Sequence, residues 1–355
     1  MSSPYVLLLN WNGWADTLEC LESLYRLDAP IPRIIICDND STDSSMERIK
    51  AWAEGRLNVL PAAGSLHRLR SFPPVTKPVS YVEYDRQAAE AGGTGREISE
   101  LILIRTGANL GFAGGNNVGL RYVLARDDFD YVWLLNNDTV VNSDALSYMV
   151  ERMHGKPDAG ICGSTLLYYD HPEKVQALGG GYYCKWIGLP WHQGRLQRAE
   201  LKRNRDRAER WMNYIVGASM LVSRKFLRDI GLMCEDYFLY FEETDWALRA
   251  EGKFSLVYAP ESVVYHKVGA SIGTSSLPNK KSLACDYYSA RNRLLFTRRF
   301  FPEAIVTVWL CLFGAVLTRL LFGRIARAKM FAGLMIGVDI PPFLDGVGQP
   351  LGKSE

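Results

Sequence analysis

The stretch Tyr131-Val-Trp-Leu-Leu-Asn-Asn-Asp138 decides the fold. An apolar run of strand length ends abruptly in polar side chains, the pattern of a strand in an open α/β sheet whose ligands gather outside the carboxyl ends. Asp138 is placed there to hold a hard divalent cation together with a phosphate. Asn and Asp at strand ends also serve as plain turn formers, so the reading depends on the company this run keeps.

Five other segments supply that company. The chain opens Tyr5-Val-Leu-Leu-Leu-Asn-Trp-Asn12, and a second apolar run, Arg33-Ile-Ile-Ile-Cys37, delivers Asp38-Asn-Asp-Ser-Thr-Asp43 at its end. A third, Leu101 to Ile104, is followed by Asn109-Leu-Gly-Phe-Ala-Gly-Gly-Asn-Asn117. Far downstream come Phe238-Leu-Tyr-Phe-Glu-Glu-Thr-Asp-Trp-Ala-Leu-Arg249 and Val264-Tyr-His-Lys-Val-Gly269. Helix and strand signals alternate through the first half, which predicts parallel βαβ units rather than a β sandwich.

In this order the blocks resemble the family 2 glycosyltransferases, most closely the rhamnosyltransferase-like branch that builds bacterial surface polysaccharide. The resemblance covers roughly residues 4–54 and 100–300. It implies a GT-A fold, a Rossmann-like, mostly parallel sheet flanked by helices. It also implies a nucleotide-diphosphate sugar donor, a divalent metal, and inversion at the anomeric centre. Asn136 and Asn137 depart from the family's fuller Asp-x-Asp pattern and leave one carboxylate, Asp138.

Composition sets the outer bounds. With 355 residues, net charge +2 and 23% charged residues, the chain has an ordinary surface and enough length for a large core without disulfides. Global charge therefore gives no argument for nucleic acid as a partner. Seven scattered cysteines without a Cys-x-x-Cys pair fit a reduced, cytoplasmic protein with no zinc knuckle. The N terminus runs straight into a strand, so no secretory signal is expected.

The expected organisation is a glycosyltransferase domain over 1–300 and a C-terminal helical, membrane-peripheral segment over 301–355. Residues 43–53 have helix-forming composition, with Gly55 placed to stop the helix. Between residues 56 and 99 periodicity fails among prolines and the Gly92-Gly-Thr-Gly95 cluster, which predicts an insertion loop, either decorative or a lid. Residues 178–210 mix glycine, Trp186, Trp191, His192 and arginines, reading either as an acceptor loop with aromatic faces for sugar rings or as a solvated basic loop. Val308 to Leu317 is apolar but shorter than the ~20 residues a bilayer-spanning helix needs. Edged by Arg291, Arg293, Arg298, Arg299, Arg319, Arg324, Arg327 and Lys329, it suits an anionic membrane surface at the inner face of the cytoplasmic membrane, or else a buried helix or dimer contact.

Glycosyl transfer needs a held nucleotide, a neutralised diphosphate and a base for the acceptor hydroxyl. For the nucleotide, the resemblance implies that Asp38 accepts from a pyrimidine imide. Asn10, Asn12 and Asn39 lie beside it on the strand ends, though Asn39 also reads as a turn or cap residue, like Ser41 and Asp43. Gly111 and Gly114 permit close backbone approach at a helix start, with Asn117 either facing the sugar or capping. Their spacing is not the Gly-x-Gly-x-x-Gly fingerprint of nicotinamide enzymes. Asn137 and Asp138 complete the donor set. Asp138, with the family's late histidine, His266, implies Mn2+ or Mg2+, the imidazole tilting the choice towards Mn2+.

Lining Glu242-Glu-Thr-Asp245 up with the family's Glu-Asp-x-Asp pattern puts Glu243 in the place of the catalytic carboxylate, with Glu242 as runner-up and Asp245 as a positioning residue paired with Arg249. Tyr288-Ser-Ala-Arg-Asn-Arg293 resembles the family's Arg-Asn element, where Arg291 either reaches a phosphate or is plain helix-surface charge. The implied donor is dTDP-rhamnose, with UDP- and GDP-sugars also open, and the implied acceptor is a lipid-linked glycan or polysaccharide hydroxyl. Two other classes compete. A nucleotidyltransferase needs a basic phosphate loop, which Asn10-Trp-Asn-Gly13 lacks, and a non-catalytic scaffold would not need Asp38, Asp138, Glu243 and His266.

Overall fold

The computed structural model describes residues 4–28, 32–59, 67–94, 99–201, 203–267 and 282–338. Its strands are β1 (Tyr5–Asn10), β2 (Arg33–Asp38), β3 (Tyr81–Asp85), β4 (Leu101–Arg105), β5 (Tyr131–Asn136), β6 (Thr139–Val141) and β7 (Ala159–Tyr168). Then follow β8 (Val175–Leu178), β9 (Gly180–Cys184), β10 (Leu189–His192), β11 (Tyr214–Ile215), β12 (Ser219–Ser223) and β13 (Ser255–His266). The helices are α1 (Trp14–Leu24), α2 (Ser45–Ala53), α3 (Arg68–Ser71), α4 (Arg86–Glu90), α5 (Gly111–Arg126) and α6 (Ala145–His154). Beyond these lie α7 (Arg205–Trp211), α8 (Arg224–Ile230), α9 (Glu242–Arg249), α10 (Leu283–Phe300), α11 (Ile305–Leu321) and α12 (Ile325–Met335).

All the described strands join one sheet, with β10-β9-β8-β7-β12-β5-β1-β2-β4-β3 as its main path. From β5 to β3 neighbouring strands are parallel, while β12 runs antiparallel between β5 and β7. Ile34–Ile36 and Leu101–Ile104 are buried without alternation because helices cover both faces, as a parallel sheet requires. One face packs on α1, α2 and α6 through Leu18, Leu21, Trp52 and Met149; the other packs on α5, α8 and α9 through Val118, Phe226 and Trp246. Both the α/β class and the mostly parallel GT-A-like sheet match the sequence expectation.

Several local expectations need correction. Within 56–99, β3 pairs parallel with β4 as the sheet's outer strand and leads directly into α4. An edge strand of five residues, partly exposed and carrying Glu83 and Asp85, has no long apolar run to betray it. Residues 60–66 and 95–98 of that stretch lie outside the described residues, as does Gly269. Within 178–210 the chain forms the β9–β10 hairpin and α7 rather than an open loop.

The C-terminal helices carry their own cluster, in which Tyr287 and Leu294 of α10 meet Val308 and Leu312 of α11 and Phe331 of α12. The apolar helix is longer than its sequence core, since Pro302 starts a helical path that reaches Leu321, 20 residues that satisfy the length and apolarity of a membrane-crossing helix. Two cations read as its solvated edge point inward. Arg319 and Arg327 converge on the buried Asp286, and Arg319 also covers the Phe331 ring. Residues 339–355 lie outside the described residues.

Candidate active site

The site forms where β1, β2, β5 and β13 end together. Its first wall is a buried polar network. Asn10 donates to Asp38 Oδ1 at 2.8 Å and accepts from Thr17 at 2.8 Å, while Asn137 donates to Thr17 at 3.0 Å. The remaining Asp38 oxygen receives the Ser41 main-chain N–H at 3.2 Å. Asn12 turns back in a left-handed conformation, φ 50°, and its side chain accepts the Thr42 N–H at 2.7 Å. Asn39 bridges two strand ends by donating to Asn109 at 2.9 Å and accepting the Leu110 N–H at 3.0 Å. Such full pairing fixes the rims of a cleft, because a buried polar group without a partner costs roughly 1–3 kcal/mol.

Asp138 and His266 come together because β13 pairs antiparallel with β6, setting His266 opposite Thr139, the neighbour of Asp138. His266 Nε2 lies 3.2 Å from Asp138 Oδ1 and 3.3 Å from Asn136 Nδ2, while Nδ1 lies 3.0 Å from the carbonyl oxygen of buried Gln176. An Nδ1–H donated to Gln176 and an amide donated to Nε2 require the same neutral tautomer. Its Nε2 lone pair then confronts a carboxylate oxygen, an arrangement that a proton or a cation between them satisfies. Burial alone would raise the Asp138 carboxyl, but the positive charge and N–H that His266 presents when protonated, standing where a cation would, and then Lys267 outweigh it and hold the group below its ordinary value. Lys267 is itself anchored on α1 by Asp16 at 2.5 Å and Glu19 at 2.6 Å.

Among the described residues no three His, Cys, Asp or Glu side chains converge as a complete metal shell. The donor set that is present, one carboxylate and one oriented imidazole at a strand end, fits a divalent ion that takes its other ligands from a diphosphate and water.

The second wall carries the acidic segment. Glu243 is partly exposed, and its Cδ would stand 4.0 Å from a Cβ at Gly217. Gly217 adjoins Ala218, whose carbonyl receives the Asn136 N–H at 3.0 Å, so Glu243 lies at the same end of the sheet as Asp138. Burial pushes the Glu243 carboxyl up to about 7. Glu242 is raised well above the carboxylate range, by burial first and by the charge of Glu243 second. One oxygen of each is buried without a hydrogen-bond partner, as is the hydroxyl of Tyr214, which lies in the field of Glu243. Asp245 differs: fully buried, it accepts from Arg249 at 2.6 Å and Tyr237 at 3.0 Å and lies 3.5 Å from Arg299.

The loop that aims these carboxylates is strained. Phe238, Tyr240 and Phe241 have φ of 61°, 70° and 77°, and conformations of this kind persist only where the surroundings enforce them. Asn292 does so from α10, donating to the carbonyls of Tyr237, Leu239 and Tyr240 at 2.7, 2.8 and 3.2 Å. Its role was hidden in the sequence beside the more conspicuous Arg291, which donates to the Asp236 carbonyl at 2.9 Å.

The glycine block serves the same loop. Gly111 has φ +70°, and a Cβ there would sit 2.2 Å from the Phe238 carbonyl oxygen; at Gly115 it would sit 2.4 Å from Leu9. Gly114 faces Glu235, and Asn117 grips Met233 and Glu235, donating to each and accepting the Met233 N–H. Packing of α5 on β1 and on the acidic loop thus accounts for residues the sequence placed against the donor.

An Asp–His pair and a raised carboxyl at one end of a GT-A-like α/β sheet are the parts that sugar transfer from a nucleotide-sugar donor requires. The family model of glycosyl transferase family 2 matches residues 87–231 of this chain. The chain is 23% identical to the low-salt glycan biosynthesis hexosyltransferase Agl10 of Haloferax volcanii over 71% of this chain and 77% of that protein. It is 24% identical to the N-acetylglucosaminyl-diphospho-decaprenol L-rhamnosyltransferase of Mycobacterium tuberculosis over 48% of this chain and 60% of that one. Among solved structures, the mannosyltransferase PcManGT of Pyrobaculum calidifontis, in complex with GDP-Man and Mn2+, aligns with TM-score 0.49 and 14% identity over 95% of this chain and 87% of that chain.

Proposed function

We propose that this enzyme inverts the anomeric centre of a nucleotide-activated sugar, with dTDP-rhamnose the favoured donor, while moving it to a hydroxyl of a lipid-linked glycan. The carrying observation is that Glu243, with its carboxyl raised to about 7, lies at the same end of the sheet as the Asp138–His266 pair. A carboxylate of that basicity takes the acceptor proton efficiently near neutral pH. Asp38, held by Asn10 and Ser41, receives the base of the nucleotide, with Asn12 on the rim. Asp138 and His266 would hold Mn2+ or Mg2+, which supplies charge neutralisation for the departing nucleoside diphosphate. The similarity to the mycobacterial rhamnosyltransferase supports both the sugar and the lipid-linked acceptor, and the UDP- and GDP-sugars are the alternatives to test.

The acceptor's lipid fits the outer surface of α11. Val306, Leu310, Phe313, Leu317 and Leu321 recur at helical spacing and are exposed, with exposed Arg298 and Lys329 on the flanking helices. In this proposal the face lies on an anionic bilayer at the cytoplasmic side. Incubating the protein with Mn2+ and a panel of nucleotide sugars, and following hydrolytic nucleotide release, tests the donor reading. Release is expected to be fastest from dTDP-rhamnose; preference for a UDP- or GDP-sugar would replace the sugar, and release from none would remove the enzymatic reading.

A further inference from the structure

The strongest unassigned contact near the site is made by Gln176 of β8, a strand of the antiparallel extension lying 90 residues before His266 in the chain. Gln176 is buried, and its side-chain carbonyl faces His266 Nδ1 at 3.0 Å. From the other side the Asn136 amide lies 3.3 Å from Nε2, so both amides are satisfied when the ring proton is on Nδ1. The main chain of Gln176 also meets the ring of His192 from β10, and His192 in turn stands 6.3 Å, centroid to centroid, from Tyr214. A single residue of the extension therefore touches the donor wall with its side chain and the hairpin that flanks Tyr214 and Glu243 with its backbone.

We infer that Gln176 is a positioning residue for the donor site: by accepting the Nδ1–H of His266 it presents the Nε2 lone pair beside Asp138, where a divalent cation binds. The inference rests on the proposed metal reading of Asp138 and His266. Physically it is the outer-shell arrangement in which a carbonyl fixes the tautomer of a ligating imidazole, and losing such a partner typically weakens metal binding about 10- to 100-fold. An apolar side chain would leave the ring free to turn and to carry its proton on the wrong nitrogen.

The test is Mn2+ binding to the full chain, read from loss of the free-ion paramagnetic resonance signal with the metal alone and again with dTDP, UDP or GDP added. Gln176→Leu is expected to weaken Mn2+ binding about 10- to 100-fold, whereas Gln176→Glu, which keeps an oxygen acceptor, should retain it. Asp138→Asn and His266→Ala run alongside. If neither of those changes binding, the metal reading fails whatever Gln176 does. If both abolish it while Gln176→Leu binds like wild type, the positioning inference is overturned. A second measurement needs no variant: long-range nitrogen–proton NMR correlations of the neutral His266 ring in metal-free wild type are expected to show the proton on Nδ1, and a proton on Nε2 would overturn the inference.

Discussion

Replacing Glu243 by Gln should make the protein more stable and much less active, and both effects follow from one buried charge. The Glu243 carboxyl is raised from 4.5 to about 7 by burial. A rise of about 2.5 at about 1.36 kcal/mol per pKa unit is about 3.4 kcal/mol of preference for the protonated form in the folded state. Partial exposure and the shared interaction with Glu242 reduce the share expected for this side chain to about 1–2 kcal/mol.

The sign follows from proton counts. Below pH 4.5 folded and unfolded chains both hold the proton and no penalty exists. Between 4.5 and about 7 the unfolded chain releases it while the folded one keeps it, so wild-type stability falls as pH rises and levels off above 7. The amide of the Glu243→Gln variant cannot ionise. The gap in melting temperature between variant and wild type should therefore be near zero at about pH 4.5, open through about 6, and reach a few degrees at about pH 8. Transfer to acceptor at about pH 8 should fall about 100- to 10,000-fold with donor affinity unchanged, because a base acts on the acceptor proton. Wild-type transfer should itself drop about tenfold per pH unit below about 7. A gap that is constant with pH or of opposite sign would refute the argument from burial. A near-normal rate for Glu243→Gln beside a dead Glu242→Gln would move the base to Glu242.

Other parts of the structure make their own predictions. Asp138→Asn should keep the fold yet abolish Mn2+ binding and slow transfer about 100-fold or more, as loss of several kcal/mol of charge stabilisation requires; a variant as active as wild type, with or without chelator, would exclude the metal role. Asn292→Ala removes three hydrogen bonds to the strained loop and should cost about 2 kcal/mol in denaturant titrations, lowering turnover while donor affinity by calorimetry stays put. Gly111→Ala places a methyl 2.2 Å from the Phe238 oxygen at φ +70° and should destabilise by more than about 2 kcal/mol; a wild-type melting temperature would refute the contact. Paired Phe313→Glu and Leu317→Glu substitutions on the exposed face of α11 should abolish flotation with anionic liposomes while sparing turnover of a short soluble acceptor, and undiminished flotation would dismiss this face as the docking surface.

The strand ends proposed as the donor wall were legible in the sequence because each closes an apolar run. Asp38, Asp138 and His266 sit where β2, β5 and β13 end, and strand ends announce themselves by a change from apolar to polar. The residues that hold them did not, because their contacts span the chain. Gln176 is 90 residues from His266, and Asn292 is 52 to 55 from the carbonyls it gathers, with nothing local to mark either. Gly111 and Asn117 were legible as constrained positions but not as to what constrains them. A glycine that must clear the Phe238 carbonyl and one that must clear a phosphate leave the same letter. The extent of α11 was misread because Thr307, Thr318 and Arg319 interrupt its apolar count, whereas in the folded chain both threonines return their hydroxyls to the helix backbone and Arg319 reaches inward to Asp286.

The clamp that Asn292 places on the loop ahead of Glu242 has a bearing on synthesis. All the described strands are encoded before residue 267, so a nascent chain that has emerged as far as β13 already owns the sheet, Asp38, Asp138 and His266. It does not yet own the side chain that holds Phe238, Tyr240 and Phe241 at positive φ, so its carboxylates have no fixed aim. In the proposed reading of these residues, donor recognition and acceptor activation are thereby separated in time along the translating ribosome. A truncated product ending before α10 is expected to occupy nucleotide without turning it over, which makes α10 the step at which an inert nucleotide binder becomes a transferase.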